Sequence, residues 1–99
     1  MLAEKEEKLV GGLWYAPVYT LVGRDVFVER LYVVPEQRRK GYGEALLEEL
    51  VEKEKNISEG IQLVAPESAL AFYFSLGFQR IGKEHYDGRQ NFSLLYVWI

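Results

Sequence analysis

Along this chain apolar positions recur with a period of two in some stretches and about 3.6 in others, and the switches between them predict the elements. The clearest period-two stretch is Val26 to Val34, VFVERLYVV. It places Phe27, Glu29, Leu31 and Val33 on one face and Val28, Arg30, Tyr32 and Val34 on the other. Both faces are largely apolar, which predicts a central strand covered on both sides. Pro35 ends it. A helical rhythm follows over Gly41 to Lys55. Leu46, Leu47, Leu50 and Val51 form one stripe, Glu44, Glu48, Glu49, Glu52 and Lys53 fill the solvated side, and Glu49 and Lys53 stand one turn apart. Asn56 to Gly60 reads as the exit loop and Ile61 to Ala65 as a short buried strand. Strand, helix and strand in that order predict a right-handed crossover and parallel pairing.

The flanking segments have weaker patterns. Met1 to Lys8 is polar and predicts a frayed end or a short helical lead-in. Leu9 to Tyr15 reads as a strand interrupted by Gly11 and Gly12, Ala16-Pro17 as a break, and Val18 to Val22 as a second strand. Gly23-Arg24-Asp25 reads as the turn into the central strand. Downstream, Pro66 suits the first turn of a helix over Glu67 to Leu76, which Gly77 closes. Phe78 to Lys83 and Asn91 to Ile99 then read as strands joined by Glu84 to Gln90, with a turn at Asp87-Gly88. The expectation is one α/β domain over residues 1–99, with a sheet of about six to seven strands and two main helices.

Composition narrows the classes. With 48% apolar and 27% charged residues in 99, the chain matches a soluble globular domain without room for a second core. A domain of this size buries only about two-thirds of its unfolded surface, so dimerisation would help it. The absence of cysteine excludes disulfides, thiolate metal sites and a cysteine nucleophile, and the single histidine gives metal binding no support. A net charge of −3 argues against a general nucleic-acid binder. Neither a signal peptide nor a membrane-length apolar run is present, and a cytoplasmic location is the expectation.

Chemistry concentrates between the central strand and the helix, in Arg38-Arg39-Lys40-Gly41-Tyr42-Gly43. Glycines permit close backbone approach, the first N–H groups of a helix lack internal partners, and arginine and lysine add charge, so an anion fits there. A solvated basic loop is the plain alternative. Glu29 is a carboxylate in an apolar strand and must be paired or used. It is either a general base or one half of a salt bridge, with Arg30 or another cation. Tyr73 lies in an aromatic stripe where a tyrosine ordinarily packs in the core with its hydroxyl at the edge, as Phe72, Phe74 and Leu76 do without one. His85 reads as a surface residue or an acceptor contact.

The segment VERLYVVPEQRRKGYGEALLEEL resembles the acetyl-CoA signature of the GCN5-related N-acetyltransferases, the GNAT superfamily, with Arg38, Gly41 and Gly43 at the fixed positions of Q/R-x-x-G-x-G/A. ALAFYFSLGFQRIG resembles the second family motif, a helix with Y-x-x-x-GF followed by a strand. Together they cover roughly Leu9 to Ile99. The resemblance implies a mixed GNAT-type sheet in which Arg38, Arg39, Lys40, Gly41, Tyr42, Gly43 and Glu44 cradle the pyrophosphate of acetyl-CoA, used as co-substrate without a metal. It implies that Leu31, Tyr32, Val33 and Val34 splay away from Ile61 to Ala65, so that the pantetheine arm pairs with the free strand edge. Glu29 becomes the general base, as in the diamine acetyltransferase branch, and Tyr73 the acid that protonates the departing thiolate. Where many members carry a cofactor-contacting asparagine this chain has Pro66, and Ser68 is the available substitute.

A typical member opens with a strand and two helices that wall the acceptor pocket, whereas this chain resembles the family from the following strand onward. The acceptor side is then open, completed by a second subunit in a homodimer, or adapted to a bulky acceptor such as a peptide. The function implied is direct acetyl transfer to a small amine, a polyamine or a peptide amine. The alternative is a non-catalytic acyl-CoA-binding or interaction module.

Overall fold

A computed structural model describes the backbone of residues 1–86 and 90–99, with side chains over 1–82 and 91–99. Six strands and two helices follow in the order β1 (Leu2–Lys5), β2 (Lys8–Thr20), β3 (Gly23–Val33), α1 (Tyr42–Glu54), β4 (Gly60–Pro66), α2 (Leu70–Ser75), β5 (Gln79–Tyr86) and β6 (Gln90–Trp98). They form one sheet in the order β1-β2-β3-β4-β6-β5. β3 and β4 run parallel across the α1 crossover, and the remaining neighbours are antiparallel. Leu46, Leu47 and Leu50 of α1 and Leu70 of α2 bury against Leu13, Val28, Ile61, Leu63 and Leu95 of the sheet. Both helices therefore cover the same face, so the expected covering of the central strand on both sides is not met among the described residues, and Glu29 and Arg30 are exposed. Alternation along β4 turns Gln62 and Val64, both half-buried, to the opposite face.

Several expected boundaries move, each for a local reason. The polar N-terminus is a strand, with Ala3 opposite Gly11 and a turn made by Glu6 and Glu7 at φ 52° and 66°. Charged side chains are compatible with pairing there because an edge strand exposes them. Pro17 does not divide β2. The chain turns at Leu21-Val22, after the closing pair Thr20–Gly23, and alternate pairs from there place Pro17 opposite Val26 where its nitrogen points away from β3. The expected turn at Gly23-Arg24-Asp25 is therefore strand, and Asp25 is buried in it. Pro66 ends β4 opposite Phe92 in extended conformation and precedes a 3-10 turn, Glu67–Ala69, so the second helix begins only at Leu70. Gly77 closes it at φ 94°, as expected. β5 and β6 both extend into the expected Glu84 to Gln90 connection. The Asp87-Gly88 turn lies outside the described residues.

One irregularity shapes the site. Trp14 faces Arg30 and Tyr15 faces Val28, which leaves Glu29 as an extra residue in β3. The bulge breaks the period-two assignment beyond Val28, and a bulged strand bends and twists locally.

Candidate active site

β3 and β4 pair at only three positions, Val26–Ile61, Phe27–Gln62 and Val28–Leu63. β3 continues to Val33 and β4 to Pro66, so the strands separate immediately after the bulge. Val34 donates its N–H to the Val10 carbonyl on the β2 side at 2.8 Å. Alternation then turns the N–H and C=O groups of Leu31 and Val33 toward the gap. The gap is a cavity of about 450 Å³, with Glu29, Arg30 and Arg38 on one wall and Val64, Pro66 and Tyr73 on the other.

Leu31, Arg38, Ala69 and Tyr73 also line a second cavity of about 630 Å³ that runs from β3 to the start of α1 and to Ser68 and Phe72. After a 3-10 turn over Pro35–Gln37, the chain reverses through Arg39 at φ 62° and Gly41 at φ 89°. Gly41 caps α1 without a side-chain bond, and the first backbone bond into its carbonyl comes from Ala45 at 2.9 Å. Among the described residues the amides of Tyr42, Gly43 and Glu44 are thus unbonded donors beside the cavity, with the positive end of the helix dipole behind them. A Cβ on Gly41 would meet nothing within 4 Å, so the turn faces open space, while one on Gly43 would lie 3.3 Å from the Phe72 ring. This donor set and this access fit a pyrophosphate.

The side chains of the basic turn are placed differently from its backbone. Arg38 folds back onto β3: its Nε donates to the Val33 carbonyl at 2.8 Å and its guanidinium lies 5.5 Å from the Tyr32 ring centre. Lys40 donates to Gln37 Oε1 at 3.3 Å. Neither Lys40 nor Val34 lines the cavity, whereas Leu31, Tyr32, Val33, Arg39, Tyr42, Glu44 and Ser68 do. Beside the cavity, backbone amides are thus more open to an anion than the heads of Arg38 and Lys40.

Glu29 is exposed on the bulge and makes no ion pair among the described residues, so the expected alternative of a salt bridge with Arg30 is not formed. Tyr73 is packed edge-on against Phe72 and Phe78 with ring centres 5.0 and 5.4 Å away. Burial raises its pKa above the ordinary 10.0, which keeps the phenol protonated. Glu29 and Tyr73, from different elements, thus border the same gap. The side chain of His85 lies outside the described residues. Among those residues no three metal-binding side chains come together, and no helix is long and apolar enough to cross a membrane.

Sequence reasoning missed the column formed by Trp14, Arg30 and Tyr32. Arg30 lies 5.7 Å from the Trp14 ring centre and 5.2 Å from that of Tyr32. Trp14 becomes its neighbour only through the strand register, and no local pattern in the sequence announces that.

A sequence profile described as an acetyltransferase (GNAT) domain matches residues 1–80. Among solved structures, Arabidopsis thaliana NAA60 in complex with a bisubstrate analogue superposes with a TM-score of 0.80 at 22% identity, over 94% of this chain and 66% of that one. The ribosomal-protein-S18-alanine N-acetyltransferase from Escherichia coli gives 0.76 at 25% identity, over 97% and 65%. An aminoglycoside 6'-N-acetyltransferase complexed with coenzyme A gives 0.85 at 16% identity, over 98% and 70%. This chain thus spans about two thirds of the length of these enzymes. With the profile matching most of its residues and the strand order and strand gap described above, the chain belongs to the GNAT acetyltransferase domain family.

Proposed function

We propose that this domain is an acetyl-CoA-dependent N-acetyltransferase acting by direct attack of an amine on the thioester. The observation that carries the reading is the continuous path from the amides of Tyr42, Gly43 and Glu44, along the edge of Leu31 and Val33 that β4 does not pair, to a gap bordered by Glu29 and Tyr73. The amides hold the pyrophosphate. The N–H and C=O of Leu31 and the N–H of Val33 pair with the pantetheine arm, the Val33 carbonyl being bonded to Arg38, and a backbone N–H there polarises the thioester carbonyl.

Glu29 takes a proton from the acceptor ammonium, directly or through water, and frees the nitrogen lone pair. The nitrogen forms a bond to the carbonyl carbon, and the carbon–sulfur bond breaks as the carbonyl reforms. Tyr73 gives its phenolic proton to the departing sulfur. The second proton lost by the nitrogen returns through water to Tyr73, and Glu29 releases its proton to solvent, leaving an amide, CoA thiol and one proton. The exposure of Glu29 suits that release, and the burial of Tyr73 suits an acid that must stay protonated.

Titration with acetyl-CoA, followed by assay of thiol release with a panel of amines, tests the reading. Saturable binding with acceptor-dependent CoA release is expected. Binding without release from any acceptor would identify an acyl-CoA-binding module instead, and no binding would overturn both readings.

A further inference from the structure

The mouth of the strand gap carries more positive than negative charge. Arg30, Arg38 and Glu29 are its charged lining residues. Among the described residues ion pairs join Arg24 to Glu54, Lys53 to Glu49 and Lys55 to Glu52, so neither Arg30 nor Arg38 has a carboxylate partner. Arg38 gives Nε to the Val33 carbonyl and is tied to the strand. Arg30 makes no hydrogen bond among the described residues; it is held by the Trp14 and Tyr32 rings at 5.7 and 5.2 Å. Aromatic contact of this kind restrains a guanidinium while its in-plane N–H groups remain available, the geometry that suits a carboxylate.

This charge balance bears on the acceptor. An amine arrives as an ammonium, which Glu29 attracts and the two arginines repel. A polyamine adds positive charge and worsens the repulsion, whereas an acceptor that carries a carboxylate near its amine pairs with both signs. We propose that Arg30 determines acceptor specificity by binding such a carboxylate, so that the preferred acceptor is the amine of an acidic peptide and not a polyamine. The inference rests on the acetyl-transfer reading for the identity of the gap, while the Arg30 contact itself is measurable without turnover.

Isothermal titration with two short N-acetylated product peptides, differing only as Glu against Gln next to the acetylated nitrogen, separates the cases. At low salt the acidic peptide is expected to bind about three- to tenfold more tightly, between the range of an exposed ion pair and that of a hydrogen bond to a charged group. The advantage shrinks as salt rises. Arg30→Gln brings the Glu/Gln ratio close to one, and Arg30→Lys, which keeps the charge and loses the planar contact, retains part of it. Circular dichroism confirms that each variant is folded. The proposal is overturned if wild type binds the two peptides alike or binds neither, if Arg30→Gln leaves the ratio unchanged, or if spermidine displaces the acidic peptide more effectively than a second acidic peptide does. Failure of the acetyl-transfer reading has a separate signature, the absence of acetyl-CoA binding and CoA release.

Discussion

Tyr73 and Glu29 border one gap from two elements and differ in what surrounds them. Tyr73→Phe removes a single oxygen from a packed ring, so packing against Phe72 and Phe78 survives while the proposed proton donor is lost. We expect kcat to fall by about a hundredfold, the scale of general acid catalysis, with acetyl-CoA binding nearly unchanged; full activity would remove Tyr73 from the mechanism. Because burial lifts its pKa above 10.0, loss of this acid depresses the wild-type rate only at higher pH than that. Glu29→Gln is expected to slow turnover most at low pH and least at high pH, where the amine has already lost its proton to water. A pH profile of kcat/KM for the two variants checks both points, and a loss independent of pH in Glu29→Gln would assign the base elsewhere. Glu29 stands out in the sequence as a carboxylate in an apolar strand, whereas Tyr73 is marked only by its motif position, since a tyrosine in an aromatic stripe ordinarily packs in the core. Arg30 was not legible, because its meaning depends on Trp14 across the sheet and on a bulge that alters the register between them.

The element proposed to hold the cofactor pyrophosphate is the first turn of α1, which packs on the sheet and comes close to the Phe72 ring of α2 at Gly43. A Cβ on Gly43 would stand 3.3 Å from the Phe72 ring, so Gly43→Val must push the two helices apart or twist the turn. We expect a loss of about 1–3 kcal/mol in stability, the usual scale of overpacking, together with a weaker acetyl-CoA affinity measured by titration. Unchanged affinity in a folded variant would mean that the amides of this turn do not hold the pyrophosphate. Helix α1 and the parallel strands beside it were readable because their rhythms are long and their ends are marked by Pro35, Gly41 and Gly60. Short elements were harder. Pro17 looks like a break and Pro66 like the first turn of a helix, yet each sits in a strand at a position where a missing N–H costs no ladder bond or where the strand ends. β1 was missed because its pairing with β2, and not its own polar composition, makes it a strand.

For the whole molecule, a sheet that opens at one end has to be held shut at the other. Asp25 supplies part of that hold, accepting hydrogen bonds from Gln62 Nε2 and from the Tyr96 hydroxyl, both at 2.9 Å. It joins β3, β4 and β6 beside the segment where β3 and β4 still pair. Gly60 makes this possible, since the space a Cβ would take there is filled by the Tyr96 ring and hydroxyl. A second tie, from Arg24 to Glu54 at 3.0 Å with Ser58 bonded to the same carboxylate, fixes the end of α1 to the β2–β3 hairpin. Burial, the hydrogen bond to Asp25 and the negative charge of Asp25 and Glu59 push the Tyr96 pKa up to about 12. An unfolded tyrosine ionises near 10.0, so the folded protein keeps a proton that the unfolded chain loses. The stability contributed by this hydroxyl is therefore complete below pH 10, declines as pH rises, and is gone above about 12. Tyr96→Phe lacks it at every pH, and at pH 7 we expect the variant to be less stable by about 1 kcal/mol, the worth of one hydrogen bond. Urea unfolding midpoints for the two proteins should then approach each other as pH is raised from 9 toward 12. Lysines and the other tyrosines titrate in both proteins and cancel in the difference, so a gap that stayed constant across that range would mean Tyr96 does not hold its proton against Asp25.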